Sequence, residues 1–414
     1  MSADADIAGA VPAAPVRAGE RIVALDVLRG MALLGIFIMN MPGFTHSLFA
    51  PPAADLGALD RLVFLLREAF FAGKFNLLFG LLFGIGFTLQ LRRLGVPTSG
   101  PIPAQQRSTA PAATVLYVRR LAALLAIGGV HAVLLWPGDV LVIYAVLGFG
   151  LLALRHVSDR AVLVLLGLCL LYPATAEVAR SLLFSFETET LTAFEYQDFE
   201  LTNDIAFGHG SFLDAVRETA RIFFWSYSSP LGLYSYGAFY VQMATGILAG
   251  FLVGRRGWVT QLAERAADLR RWTRILLAVV VVAGSLELVA AATGAPFVGT
   301  LARTIGRAAL ACLYAVVALR LVATPTGARW LAPFANAGRM PLTNYLLQTV
   351  LASAVFYGWG LGLWGRAGPT FETLLAVLLF FAVQLRLSAA WLRRFRYGPV
   401  EYLWRLLTYG RRAL

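Results

Sequence analysis

The sequence predicts an all-α polytopic integral membrane protein, a bundle of about ten transmembrane helices with both termini on the cytoplasmic side. Composition points there first: of 414 residues, 59% are hydrophobic and 14% charged, against roughly 25% charged residues in soluble domains. Apolar stretches of about 20 residues, the length a helix needs to cross a bilayer core about 30 Å thick, recur along the whole chain. They leave no soluble domain of ordinary size. The arginines fall in short clusters between these stretches, so the net charge of +12 orients spans and does not build a continuous groove for nucleic acid.

The first 20 residues, MSADADIAGAVPAAPVRAGE, lack the basic start and adjoining apolar core of a signal peptide and read as a disordered cytoplasmic tail. A bundle over 21–397 follows, with spans at roughly 23 to 44, 74 to 91, 116 to 135, 139 to 154, 161 to 183, 232 to 253, 274 to 293, 298 to 322, 341 to 363 and 370 to 391. Arg17 and Arg21 precede the first span. Arg92, Arg93, Arg107, Arg119 and Arg120 lie between the second and third, and Arg155 and Arg160 follow the fourth. Arg255, Arg256, Arg265, Arg270, Arg271 and Arg274 follow the sixth, and Arg393, Arg394, Arg396, Arg405, Arg411 and Arg412 follow the last. By the positive-inside rule these are cytoplasmic, as is the C-terminal segment 398–414.

Residues 60 to 73 form a short amphipathic run, too charged to span and suited to the outer surface. The longest outer segment, 184 to 230, carries Glu187, Glu189, Glu195, Asp198, Glu200 and Asp204, and an aromatic stretch runs from Phe223 to Tyr240. It reads either as a cover over an outward-facing site or as a solvated loop with an aromatic belt. Gly80, Gly84 and Gly86 in NLLFGLLFGIGF let helices approach closely, within or between subunits, which leaves homo-oligomerisation open. Cys169 and Cys312 lie in apolar runs without ligand-like spacing, so neither a metal site nor a disulfide framework is expected.

Ionisable and polar side chains inside spans are costly to insert and mark where function is sought. Asp26, Arg29 and Asn40 follow at steps of 3 and 11, and Arg120 and His131 are again 11 apart, so each set shares one helix face. Each places a basic group at the cytoplasmic end and a polar group about 16 Å further along the same stripe. The bland alternatives are a local ion pair for Asp26 and Arg29 and an internally hydrogen-bonded histidine for His131. Asp139, in WPGD, is placed either to orient His131 or to cap the next helix. Arg339 precedes Pro341 at a helix start, a favourable place for phosphate. Asn344 and Gln348 continue inward from it as interhelical hydrogen-bonding groups. Glu287 and Arg303 are expected to pair across an outer turn.

RIVALDVLRGMALLGIFIMN, from Arg21 to Asn40, resembles the first helix of the YeiB-like bacterial membrane proteins, which stand with the heparan-alpha-glucosaminide N-acetyltransferase-like transmembrane acyltransferases. The likeness continues through KFNLLFGLLFGIGF, RRLAALLAIGGVHAVLLWPGDVLVIYAVLG, NAGRMPLTNYLLQ and RYGPVEYLWRLLTYG, and so covers nearly the whole chain. It implies a bundle of about ten or eleven helices in the bacterial cytoplasmic membrane, taking an acyl group from cytoplasmic acyl-CoA and passing it to an acceptor across the membrane. Asp26, Arg29, Gly30 and Asn40 match the first-helix pattern of the acetyltransferase relatives. Those relatives keep their active histidine in the outer loop after the asparagine, where this chain has His46 at a shorter spacing.

On this reading Asp26, Arg29, Arg120 and Arg339 form the donor site, the arginines gripping the phosphates of acyl-CoA, with acetyl-CoA one candidate, as donor substrate. His131 is the general base or acyl carrier, with His46 in reserve, Asn40 the oxyanion donor and Asp139 the group orienting the imidazole. The acceptor is a hydroxyl or amine, and no permanently bound cofactor or metal is expected. The rival reading is a transporter or exporter in which His131 or Glu287 carries a coupling proton. A scaffold that keeps the fold without chemistry is the third.

Overall fold

The computed structural model describes residues 23–50, 56–94, 110–183, 186–258 and 266–410. The tail over 1–20, Arg17, Arg21, Arg107, Arg265, Arg411, Arg412 and the side chains of Glu187 and Glu189 lie outside what is described. Among the described residues the secondary structure is helical, without strands. The helices are α1 (Val23–Asn40), α2 (Pro42–Thr45), α3 (Ala58–Phe70), α4 (Lys74–Arg93), α5 (Ala110–Leu134), α6 (Leu141–Ala153), α7 (Asp159–Leu183), α8 (Phe186–Asn203), α9 (Phe212–Ser228) and α10 (Pro230–Arg255). There follow α11 (Ala266–Thr293), α12 (Pro296–Val322), α13 (Pro325–Gly338), α14 (Pro341–Phe356), α15 (Pro369–Leu378), α16 (Leu385–Arg394) and α17 (Pro399–Tyr409).

Each of the ten expected spans holds a helix, although the ninth, expected over 341 to 363, ends at Phe356, and the chain is a multi-pass membrane protein. Eight stretches are long and apolar enough to cross a bilayer: α1, α3 with α4, α5, α7, α10, α11, α12, and α15 with α16. The helices α6, of 13 residues, and α14, of 16, fall short of that length. The outer surface carries large apolar side chains, with Val164 62%, Val281 59% and Leu288 73% exposed. In water such a surface would drive association; against lipid it costs nothing.

Close helix crossings set the interior. A Cβ on Gly338 would overlap the Asp26 carbonyl, so α1 and α13 cross backbone to backbone there. Gly84 meets α10 in the same way at Ile247, as small residues at a helix interface permit. Gly86 instead faces Arg29. Between α15 and α16 a π-helical turn, Leu379–Gln384, turns Gln384 fully inward. There its amide donates to the Asn344 carbonyl at 2.8 Å and its Oε1 accepts from Gln348 at 3.1 Å. Asn344 also bonds Ser388, and Gln348 the Leu33 carbonyl, so these side chains tie helices together as their spacing suggested.

Of the segment 184 to 230, read either as a cover or as a solvated loop, the described residues from 186 onward are helical, in α8, a π-helical turn at Asp204–His209, and α9. Asn203 donates to Ser47, Trp364 to Asp204, and the Gly358 amide to the Phe207 carbonyl. The acidic residues of this segment alternate with apolar ones that find partners only in distant parts of the chain. In the 60 to 73 run, α3 turns Leu62, Leu65 and Leu66 outward and buries Arg67.

Candidate functional site

At the arginine-rich end, a cavity of about 370 Å³ opens between α1, α4, α5, α6, α14 and α17. Asp26, Arg29, Arg120 and Arg339, drawn from three separate parts of the chain, all line it, joined by Arg93 and Arg405. Gln90, Tyr117, Tyr397, Trp404 and Tyr409 complete the mouth, and Phe79, Phe83, Leu124, Leu141 and Tyr144 line the apolar depth. Basic at the rim and apolar within, this shape suits an amphipathic anion.

Each basic group is held by a particular contact. Arg29 Nη1 donates to Asp26 Oδ1 at 2.7 Å, so the local ion pair exists and also aims the guanidinium into the cavity. Arg120 stacks on the Trp404 ring, 3.6 Å from its centroid, while Trp404 Nε1 donates to the Arg120 carbonyl at 2.9 Å. The contact is a cation–π clamp between α5 and α17. The α14 N-terminus, expected to be free for phosphate beside Arg339, is occupied. Glu401 Oε1 accepts from the amides of Leu342 and Thr343, at 2.7 and 3.1 Å, and Oε2 from Thr343 Oγ1 at 2.5 Å. A carboxylate thus takes the place an anion would, so Arg339 lines the cavity without an open helix N-terminus beside it. Burial pushes the Glu401 carboxyl above its ordinary value, opposed by the hydrogen bonds from Thr343 and the backbone.

His131 is 1% exposed and does not line the cavity. It lies seven residues beyond Leu124 on the same face of α5, about 10 Å further in. Its Nδ1 is 2.7 Å from Asp139 Oδ2, and its Nε2 is 2.9 Å from Thr349 Oγ1. Asp139 Oδ1 meanwhile accepts from the Val142 amide at 2.8 Å, so Asp139 both orients the imidazole and caps α6. In the neutral imidazole, an Nδ1–H donated to the Asp139 carboxylate leaves Nε2 to accept from the Thr349 hydroxyl. The Tyr345 ring lies 5.2 Å from the imidazole.

Asn40 is not brought into this group. It sits half-buried at the far end of α1, fourteen residues or about 21 Å of helix from Asp26, and bonds neither His131 nor Asp139. His46 belongs to another cluster at that far end. There Glu372, 2% exposed, accepts from Arg67 Nη1 and Thr45 Oγ1, both at 2.5 Å, and His46 Nδ1 lies 3.6 Å from Glu372 and 2.8 Å from Thr45 Oγ1. Glu287 and Arg303 pair at 2.7 Å as expected. Among the described residues no three His, Cys, Asp or Glu side chains gather as a metal site would require.

Thr349, Glu401, Trp404, Arg405 and the Arg67–Glu372 pair were not foreseen. Glu372 reads as an acid in the first turn of a helix after Pro369, and Arg67 as one charge of a surface run. Only their pairing across 305 residues shows that both are buried.

These features define a polytopic α-helical membrane protein with a basic, apolar-floored cavity at one end and a buried Asp–His–Thr group behind it. The chain belongs to the YeiB-like family described as "Protein of unknown function (DUF418)", whose profile matches residues 253–411. It is 31% identical to the uncharacterized protein YxaH of Bacillus subtilis (strain 168), over 95% of this chain and 96% of that protein. It is 28% identical to the uncharacterized protein YeiB of Escherichia coli (strain K12), over 94% and 96%. An uncharacterized 39.9 kDa protein from the amylase 3′ region of Bacillus acidopullulyticus is 26% identical over 96% of each chain. No solved structure matches the chain.

Proposed function

We propose that this chain is an acyltransferase of the bacterial cytoplasmic membrane. It would take an acyl group from cytoplasmic acyl-CoA and place it on a hydroxyl or amine at the membrane or its outer side. The observation that carries this reading is the convergence of Arg29, Arg93, Arg120, Arg339 and Arg405 on one apolar-floored cavity. Converging guanidinium groups are what phosphate recognition requires, and the apolar depth suits the thioester arm. The stripe that continues from Arg120 through Leu124 ends at His131, whose Nε2 is a proton acceptor held in place by Asp139. Over the whole transfer the acyl carbon exchanges its bond to sulfur for a bond to the acceptor's oxygen or nitrogen. The imidazole takes the acceptor's proton and returns it to the departing thiolate.

The test is thermal unfolding of the purified protein in mild detergent with CoA, acetyl-CoA and longer acyl-CoAs, beside Arg29→Ala and Arg120→Ala. Ligand at 100 times its dissociation constant stabilises the folded state by about 2.7 kcal/mol. A shift that follows acyl-CoA and disappears in the arginine variants is the expected result. Folded protein that responds to none of these ligands would instead favour solute export, with the buried Asn344, Gln348 and Gln384 ladder lining the path.

A further inference from the structure

Threonines inside helices usually donate their hydroxyl to a carbonyl of the preceding turn. Thr88, Thr175, Thr245, Thr304, Thr373 and Thr408 all do so. Thr349, in the middle of α14, does not: its Oγ1 is directed at His131 Nε2, 2.9 Å away. The third group of the series, Asp139, holds the other imidazole nitrogen, and all three side chains are at least 95% buried in an apolar bundle. Carboxylate, imidazole and hydroxyl in that order, with the hydroxyl proton facing a bare ring nitrogen, is the arrangement that activates a hydroxyl as a nucleophile.

Position supports chemistry. Leu342 lines the cavity, and Thr349 follows it by seven residues on the same face of α14, with Tyr345 between them. On α5, Leu124 lines the cavity and His131 likewise follows by seven. Two helices that wall the cavity therefore carry base and hydroxyl to the same depth, about 10 Å past its lining. Tyr345, whose ring lies 5.2 Å from the imidazole, is fixed there by its hydroxyl, which accepts from the Val140 amide at 3.3 Å.

We propose that Thr349 is the group that carries the acyl chain between donor and acceptor, a reading that rests on acyl-CoA being the donor. In the first half, Thr349 Oγ1 attacks the thioester carbon while His131 Nε2 takes its proton. The carbon–oxygen bond forms, the carbon–sulfur bond breaks, and the imidazolium returns the proton to the thiolate, giving an acyl-threonine ester and free CoA. In the second half, the acceptor hydroxyl or amine gives its proton to His131 and attacks the ester carbon. Thr349 leaves, recovers the proton and is ready again. Asp139 touches neither substrate and is a positioning residue.

The experiment incubates the full-length protein and its Thr349→Val, Thr349→Ser and His131→Gln variants with acetyl-CoA or palmitoyl-CoA, and quenches in acid. The adduct is mapped by mass spectrometry, with thermal shift by the same acyl-CoA recorded for each protein. The expected result is an acyl adduct on the peptide holding Thr349, cleaved by alkaline hydroxylamine, kept in Thr349→Ser and lost in Thr349→Val while the thermal shift persists. His131→Gln slows labelling by at least about a hundredfold. Protein that binds and turns over acyl-CoA without an adduct, or a Thr349→Val variant that labels or turns over like wild type, overturns the Thr349 assignment and leaves the donor reading standing. No thermal shift with either acyl-CoA in folded wild type overturns both.

Discussion

Asp139 divides its two oxygens between two tasks, one capping α6 through the Val142 amide and one holding His131. The tasks can be separated. In Asp139→Asn the side chain keeps an oxygen for the cap, while its amide, now a donor, turns the imidazole to the wrong tautomer. Turnover is expected to fall by at least about a hundredfold with little change in thermal unfolding. Asp139→Ala loses the cap as well and should be about 1 kcal/mol less stable. Undiminished turnover in Asp139→Asn would assign Asp139 to the cap alone. At this scale, spacing carried the reading far for Arg29, Arg120 and His131, because 11-residue steps on an apolar helix leave few reasons for a charge or imidazole. It carried nothing for Thr349, 218 residues from its partner. A threonine in a helix is unremarkable until the atom that it faces is known. Asn40 shows the converse: a shared face with Arg29 does not imply a shared site when the helix ends there.

The helix α17 is turned inside out relative to a soluble amphipathic helix. Tyr402, Leu403 and Leu407 are exposed, while Glu401, Trp404 and Arg405 line the cavity. An interfacial helix with its apolar face in lipid has this form, and the C-terminal segment forms part of the cavity wall. Glu401 gives it a pH signature. Because burial raises its carboxyl above the ordinary value near 4.5, the folded state holds this proton at pH values where the unfolded chain has released it. Its contribution is full below the ordinary value and is lost as pH rises through the raised one. The unfolding midpoint of the wild type should therefore fall relative to Glu401→Gln over that interval; parallel profiles would dismiss the effect. The α1–α13 crossing is the second element whose geometry the site needs. Gly338→Ala places a methyl against the Asp26 carbonyl, pushing the helices apart at a cost of about 1 to 3 kcal/mol. Since Asp26 and Arg29 move away from Arg339, acyl-CoA should also bind more weakly. A variant that loses stability and keeps full affinity would mean that the crossing does not position the donor site.

For the whole molecule, composition and charge were enough to read the architecture, since lipid selects for apolar length and arginine position more strongly than for any detail of packing. What lay beyond reach was the far end, where α8, α9, Thr45, Arg67 and Glu372 assemble from segments up to 327 residues apart. The sidedness of the bundle fixes which substrate meets the cavity, and it can be checked directly. Clusters at Arg92 and Arg93, at Arg155, at Arg255 and Arg256 and at Arg393 and Arg394 all fall at the cavity end, where the positive-inside rule places the cytoplasm. With Cys169 and Cys312 replaced, single cysteines at Ser158 and Ala323, both exposed at that end, should react with a membrane-impermeant maleimide only after cells are opened. Cysteines at Ser228 and Thr293, which close helices at the opposite end, should react in intact cells. The reverse pattern would put five arginines on the outer side, away from any nucleotide pool. The cavity would then have to take its anion from the outer leaflet or the medium, and acyl-CoA could no longer be the donor.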